Sequence, residues 1–383
     1  MSSPVPPVSV VVLAKDEKRC IARCLDSVAG RGFDRIVVLD TGSADGTIEL
    51  VREYRKVGVE LLSMPWTGSF ADARNHGIDV VGTGWIVFLD ADEWFAPDAA
   101  ERLIARLQEL AVTSVPPGAA FAPVILDVDR GSWVDQVPRV FLVESGIRYR
   151  GTVHEYPVVA GDRDTPIELY RVDVEIRHDG YTPEVVYGKR KTERNIALLD
   201  LARAGAPDDP RWLYFTVHDG LPFLQASRLI RFCEELEELA ARRSRTGDHL
   251  PPVHYLRRAL PLACQGLGFQ GDWDTVDRYC LRIDELDGGG SPDAQYLRAM
   301  AEVADGVATT RTLKETIAIR RADESLLKST LCRSGRHLDA AIAALLECRG
   351  GADDAERYRA ICDRWDDMFF EGSRLRTPQA VLL

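Results

Sequence analysis

Three acidic residues follow an apolar run in the segment WIVFLDADEWF, residues 85–95. The apolar run predicts a buried β-strand, and Asp90 and Asp92 share a face where that strand ends. Two neighbouring carboxylates repel each other unless a cation lies nearby. Mg²⁺ or Mn²⁺ prefers oxygen ligands and often shares its shell with substrate phosphates. The pattern favours a metal–diphosphate site. The alternative is a solvated strand end in which Asp92 or Glu93 caps a following helix.

Polar residues also follow the two strands predicted nearest the N-terminus. The first strand ends before Lys15–Glu17, and the second ends in Asp40. Gly42 and Gly46 permit a tight turn and the close approach of a ligand. Helix capping explains the other polar residues of that turn, which leaves Asp40 as a candidate acceptor for hydrogen bonds from a base or a ribose. Ligands bind beyond the carboxyl ends of strands in open parallel sheets, so three strands deliver polar groups to one edge.

Strand and helix signals alternate through the first part of the chain, which predicts a mostly parallel sheet covered on both faces. Three further strand signals extend or flank this sheet. The expected strands are residues 9–14, 35–40, 59–63, 85–90, 120–127, 136–143 and 170–177, and the expected helices are 20–29, 47–57, 70–80 and 97–109.

Signals from residue 185 onwards are helical, with breaks rich in Gly and Pro between them. Paired helices of this length suggest an α-solenoid. We therefore predict two domains, an α/β domain over residues 1–182 and an all-α domain over residues 183–383. The expected helices of the second domain are 185–203, 209–221, 224–241, 253–266, 273–283 and 292–303.

The composition excludes several classes of function. A net charge of −12 over 383 residues argues against nucleic acid or an anionic membrane as the main partner. The apolar runs are too short to cross a bilayer, and the first residues lack the pattern of a signal peptide. The eight scattered cysteines form no C-x-x-C pair, which favours free thiols and a cytoplasmic location without membrane insertion.

Four segments occur in the order and spacing of a known family. They are VVLAKDE at 11–17, IVVLDTGSADGT at 36–47, FADARNHGI at 70–78 and FLDADEWF at 88–95. Over residues 8–180 the chain resembles the family 2 nucleotide-sugar glycosyltransferases, which have a GT-A fold. The resemblance implies a Rossmann-like GT-A domain, a nucleotide-sugar donor that is expected to carry UDP, and Mn²⁺ or Mg²⁺ as cofactor.

The same resemblance implies roles for individual residues. Asp40 contacts the nucleobase, although the second acid usual in the family is replaced here by Thr41. Arg74 lies near the nucleotide, Asp90 contacts the ribose or the metal, and Asp92 binds the metal on the donor diphosphate. The expected nucleotide-binding set is Ala14, Glu17, Asp40, Gly42, Arg74, Asp90 and Ala91.

Two later segments, YRGTVHE at 149–155 and IRHDGY at 176–181, resemble a subgroup with tetratricopeptide-like helices after the catalytic domain. Glu155 is the expected catalytic base, and its alternative is an ion pair with Arg148 or Arg150. His178 is the expected further metal ligand. The alternatives are a hydrogen-bonded loop histidine or His154 in its place.

The remaining site predictions concern the substrates. Trp94 and His154 are expected to bind substrate, although core packing explains Trp94 equally well. The subgroup includes transferases that attach sugars to Cys or Ser of bacteriocin peptides, and others that act on cell-surface glycans. A peptide or small-molecule acceptor is expected, and the helical domain is a candidate for homodimerisation.

The predicted function is therefore inverting sugar transfer from a nucleotide-diphosphate donor to a nucleophile such as a peptide Cys, Ser or Thr. The alternatives are a glycan or small-metabolite transferase, or a non-catalytic peptide-binding scaffold. A sugar nucleotidyltransferase is disfavoured because the loop after the first strand has no glycine.

Overall fold

The computed structural model of this chain describes residues 5–111, 115–129, 133–161, 167–180, 191–221, 223–242, 250–363 and 365. None of the helices in those ranges is long and apolar enough to cross a membrane. The chain divides into two compact units, the first ending at Ala202 and the second beginning at Arg203.

The first unit is built on a mixed nine-stranded sheet with the order β3-β2-β1-β4-β8-β6-β11-β5, in which β7 pairs with β6. Strands β9 and β10 form a separate antiparallel pair. The strands are β1 (Val8–Ala14), β2 (Arg35–Asp40), β3 (Val59–Ser63), β4 (Trp85–Asp90), β5 (Glu93–Phe95), β6 (Ala119–Asp127), β7 (Trp133–Val134), β8 (Val140–Leu142), β9 (Ile147–Arg150), β10 (Tyr156–Val159) and β11 (Glu168–His178).

Helices cover both faces of this sheet. Alternate residues of β1 enter opposite apolar layers, since Val10 packs in one cluster with Leu25 and Leu103, and Val11 in another with Ile78. This arrangement explains why β1 reads as a continuous apolar run. The helices are α1 (Ile21–Asp26), α2 (Thr47–Glu53), α3 (Phe70–Val81), α4 (Ala99–Ala111) and α5 (Lys191–Gly205), with short 3₁₀ turns at Tyr54–Val57 and Val143–Ser145.

Strand register brings the predicted site residues to one edge of the sheet. Strands β2 and β4 run parallel to β1 on either side of it, and Ala14 pairs with Asp40 while Leu13 pairs with Asp90. Strand β11 runs parallel to β6 and antiparallel to β5, so that His178 pairs with Glu93. The end of a strand distant in sequence therefore joins the acids that follow β4.

The strands differ from the sequence prediction in two ways: β8 is shorter than expected, and the short strands β5, β7, β9 and β10 were not predicted. The strand expected over residues 136–143 is limited to Val140–Leu142, because Pro138 has no N–H for a ladder hydrogen bond. Strand β5 was not predicted, and a three-residue strand is stable only through pairing with β11. Local sequence patterns do not encode a partner so far along the chain.

The described residues of the second unit form helices joined by turns, without a strand, as predicted. Side chains cap several helix starts, since Asp209 accepts from the N–H of Arg211 and Asp272 accepts from the N–H of Thr275. Its helices are α6 (Pro210–Gly220), α7 (Ala226–Ala241), α8 (Pro252–Phe269), α9 (Trp273–Leu286), α10 (Pro292–Ala304), α11 (Thr310–Arg320), α12 (Asp323–Leu326), α13 (Arg336–Cys348) and α14 (Ala352–Ala360).

Gly84, at the start of β4, provides a test of this packing. Its φ is +84°, and a Cβ added there would lie 2.5 Å from the carbonyl oxygen of Pro7. Gly58 has a φ of +88° with nothing within 4 Å of an added Cβ. We expect Gly58→Ala to lower the free energy of unfolding by about 1 kcal/mol through backbone strain alone, and Gly84→Ala by about 3 kcal/mol. Urea unfolding followed by tryptophan fluorescence measures both, and equal midpoints would contradict the assigned close approach.

Candidate active site

The carboxylate of Asp40 closes the turn after β2. Asp40 is almost completely buried, and its Oδ2 accepts hydrogen bonds from the N–H groups of Gly42 at 2.9 Å and Ser43 at 3.1 Å. Asp40 was expected to have no role in the turn, and that expectation was wrong. The carboxylate shapes the turn at the edge of the sheet, beside the predicted nucleotide position.

The loops after β1 and β2 are joined across the top of the sheet. The ammonium of Lys15 donates to the carbonyl of Gly42 at 2.8 Å, and the N–H of Glu17 donates to the Oγ1 of Thr47 at 2.8 Å. Ala14, the last residue of β1, is buried beneath them. The structure therefore brings the predicted nucleotide-binding residues of both loops together.

Two buried arginines compensate the acids that follow β4. Arg74 contacts Asp90 Oδ1 through Nη2 at 3.1 Å and Glu155 Oε1 through Nε at 2.5 Å. Arg139 contacts Asp90 Oδ2 at 2.8 Å and Glu93 Oε1 at 2.6 Å through Nη2. Asp90 therefore lies between two cations, and both arginines are shared between two carboxylates.

These surroundings shift the pKa values of Asp90 and Glu93 in opposite directions. Burial opposes the charge on Asp90, but Arg139 and Arg74 outweigh it and hold the pKa of Asp90 below its usual range. Burial raises the pKa of Glu93 above its usual range, and the attraction of Arg139 does not cancel that rise. A buried carboxylate with two cations stays charged, whereas one that shares a cation with a neighbouring acid does not ionise as readily.

Arg74 has a donor without a hydrogen-bond partner. Its Nη1 is buried and bonds to no group among the described residues. The guanidinium lies 5.3 Å from the ring centre of Phe88 and 5.5 Å from that of Tyr149. Asn75 fixes Tyr149 by exchanging hydrogen bonds with its backbone at 2.9 and 2.8 Å. A buried, unsatisfied donor is costly.

Asp92 and His178 meet at the end of β11. The Nε2 of His178 lies 3.6 Å from the Oδ2 of Asp92, and a Cβ added at Gly180 would clash with both atoms. Burial opposes protonation of His178, but the carboxylate of Asp92 outweighs it and raises the pKa of the imidazole. Asp92 and Glu93 are buried, and the next element is β5, so the alternative of a solvated helix cap was wrong.

This pair fits a divalent cation as two adjacent ligands, one oxygen and one imidazole nitrogen. In the part of the chain that the structure describes, no three Asp, Glu, His or Cys side chains converge to hold a metal ion.

The segment that carries His178 is tied to α1. Asp179 receives hydrogen bonds from Arg19 at 2.8 and 3.0 Å and from Arg23 at 2.5 Å. The guanidinium of Arg23 also lies 3.6 Å from the ring centre of Trp94, which is half-buried rather than part of the apolar core. Burial opposes the charge of Asp179, but these arginines lower its pKa. Sequence reasoning missed this cluster, because no motif connects α1 to residue 179.

The V-H-E segment lies in the turn between β9 and β10. His154 has a φ of +49°, and Glu155 follows it and pairs with Arg74. The expected alternative partners of Glu155 were wrong, because Arg148 contacts Asp79 at 2.8 Å instead.

Arg139 was not predicted as a site residue, since nothing in the sequence around it signals a ligand.

Comparisons with known proteins place part of this chain in a family. Residues 9–150 match the family model for glycosyl transferase family 2. The glycosyltransferase SunS of the SPbeta prophage of Bacillus subtilis is 28% identical over 213 residues, 56% of this chain and 49% of its own length. A TPR repeat-containing protein of Synechococcus elongatus is 31% identical, over 53% of this chain and 49% of its own.

Among solved structures, S. aureus TarS 1-349 aligns with 77% of this chain and 87% of its own, at 14% identity and a TM-score of 0.36. The chain spans about half the length of the curated relatives that it matches.

Residues 9–150 therefore form a glycosyltransferase family 2 domain. The predicted GT-A-type fold followed by a helical region is confirmed by this match and by the mixed sheet. In sequence the domain is similar to the glycosyltransferase SunS.

Arg139→Met tests the charge compensation of the site. Removing this cation leaves the buried Glu93 without its arginine and Asp90 with Arg74 alone, which costs about 3–5 kcal/mol of folding free energy. The matched control is Arg31→Met, which breaks the exposed pair with Glu101 at 3.2 Å and costs less than about 1 kcal/mol. Urea unfolding distinguishes the two variants, and a control-sized loss in Arg139→Met would show that this cluster tolerates an unpaired acid.

Proposed function

We propose that this chain is a glycosyltransferase that uses a nucleotide-diphosphate sugar. The observation that carries the proposal is the convergence of Asp40, Arg74, Asp90 and Asp92 at one sheet edge, within a family 2 domain. Such an edge is where open α/β sheets bind nucleotides. UDP is the proposed carrier, on the family resemblance.

The donor clamp consists of the two joined loops and Arg74. The joined loops hold Ala14, Glu17 and Gly42 at the nucleotide, with the buried Asp40 shaping the turn. Arg74 offers its unsatisfied Nη1, and Asp90 keeps that guanidinium in place. Orientation of the donor before reaction lowers the entropic part of the barrier.

Asp92 and His178 would hold Mn²⁺ or Mg²⁺. When bound, such a cation offsets the negative charge that develops on the leaving diphosphate. The close approach of Gly180 explains why a larger residue is unsuited to this position, because its Cβ would occupy the space between the two ligands.

Glu155 is the proposed catalytic base. Its Oε1 is held by Arg74, which orients the carboxylate in the turn beside His154. In this role Glu155 takes the proton from the nucleophile of the acceptor substrate during inversion. A thiol acceptor would demand little of this base, because thiols ionise near neutral pH.

The proposed acceptor is a Cys, Ser or Thr side chain of a peptide, with a small molecule or a glycan as the alternative. Trp94 and His154 are the proposed acceptor-facing residues. The half-buried ring of Trp94, backed by the guanidinium of Arg23, offers an apolar surface of the kind that packs against a sugar or a peptide side chain.

We place the catalytic domain at residues 1–182 and the helical domain at 183–383. A cytoplasmic location is proposed because all eight cysteines are free thiols and most are buried, as is usual in reducing compartments. The helical domain is the proposed dimerisation or acceptor-docking element.

Metal-dependent donor hydrolysis tests this function. UDP-, GDP- and dTDP-sugars are incubated with the wild type in Mn²⁺, Mg²⁺ or EDTA, and nucleotide release is measured. We expect release from one donor type with metal, lowered about 100-fold or more in Asp92→Asn through lost charge stabilisation. The matched control, Asp129→Asn, changes an exposed acid after β6 and should retain the wild-type rate.

Thermal denaturation with each nucleotide diphosphate and Mn²⁺ provides an independent readout, since a ligand that binds the folded state raises its midpoint. Neither release nor stabilisation with any nucleotide would overturn the proposed function and favour a peptide-binding scaffold.

A further inference from the structure

A lysine ammonium lies on the predicted metal ligand Asp92. The Nζ of Lys191 is 3.3 Å from the Oδ2 of Asp92 and 3.1 Å from the carbonyl oxygen of Gly180. The side chain of Lys191 is 21% exposed. A carboxylate and a carbonyl oxygen are also the kinds of ligand that hold a small hard cation. Because the diphosphate is proposed to bind beside Asp92, Lys191 brings a positive charge to that place.

The position of this lysine carries a physical cost. Its side chain is largely withdrawn from water, and removing an ammonium from water is unfavourable. The carboxylate of Asp92 lies close enough to offset part of that cost.

A structural explanation is that the ion pair only anchors α5 to the sheet. In that role Lys191 would pair with Asp92 but would have no effect on the binding of nucleotide phosphates. The two roles therefore predict different ligand preferences, because a diphosphate-binding lysine favours a nucleoside diphosphate over the nucleoside in the absence of metal.

We propose that Lys191 is a diphosphate-binding residue, a tethered cation that Asp92 and the carbonyl of Gly180 aim at the leaving group. This inference rests on the proposed function and adds a residue that no motif indicated. The ammonium donates hydrogen bonds to the oxygens of the diphosphate, and it stabilises their charge as the sugar departs.

Metal-free nucleotide binding tests the proposal. Uridine, guanosine and thymidine and their diphosphates are titrated by calorimetry into the wild-type chain, Lys191→Met and Lys191→Arg, in EDTA. We expect the wild type to bind the preferred diphosphate about tenfold or more tightly than its nucleoside, which is the gain of one charge-assisted contact. The matched control is Lys56→Met, at an exposed lysine of the first unit.

In Lys191→Met we expect this preference to fall to about twofold, while Lys191→Arg and Lys56→Met keep most of it. Nucleoside binding, which does not involve the ammonium, should be unchanged in every variant and shows that the site is folded. Nucleotide binding with an unchanged preference in Lys191→Met would overturn the role of Lys191 and leave the proposed function standing. Failure of every nucleotide to bind, with or without Mn²⁺, would overturn the proposed function and the inference together.

Discussion

The site depends on compensation of buried charge. Asp90, Asp92 and Glu93 lie within four residues at the end of a buried strand, where uncompensated carboxylates would be strongly unfavourable. Arg74 and Arg139 each serve two acids. Because α3 supplies one arginine and the residue before β8 the other, the acids can stay charged only when the sheet and its helices have assembled. Formation of the site is thus part of folding.

The topology of the sheet supplies the rest of the site. Parallel pairing of β1 with β2 and β4 places three carboxyl ends side by side. The antiparallel pairing of β5 with β11 adds His178 to the same edge. Arg19 and Arg23 then fasten the residue after His178 to α1. The predicted metal ligands are consequently held by elements that are far apart in sequence but adjacent in the sheet.

The helical unit holds one buried carboxylate through hydrogen bonds rather than through arginines. Asp293 is almost fully buried in the first turn of α10, and it accepts hydrogen bonds from Ser329 Oγ at 2.5 Å and from the N–H of Thr330 at 2.8 Å. The carboxylate therefore organises the turn that follows α12. Close packing also joins separate segments of this unit, since a Cβ added at Gly266 would lie 2.8 Å from Leu221 and from Leu229. These contacts stabilise the stack of helices, and they identify no acceptor.

The sequence by itself determined the alternation of strands and helices, the helical second half, and the strand ends at which Asp40, Asp90 and Asp92 lie. Those features follow from local apolar patterns and from turn and capping residues, which are short-range properties of the chain. Only the tertiary structure decided that Arg74 holds Glu155, that Arg139 neutralises Asp90 and Glu93, and that Lys191 reaches Asp92. Each of these contacts joins residues 46 to 99 positions apart. Such pairs depend on strand order and side-chain packing, and no periodicity in the sequence records them.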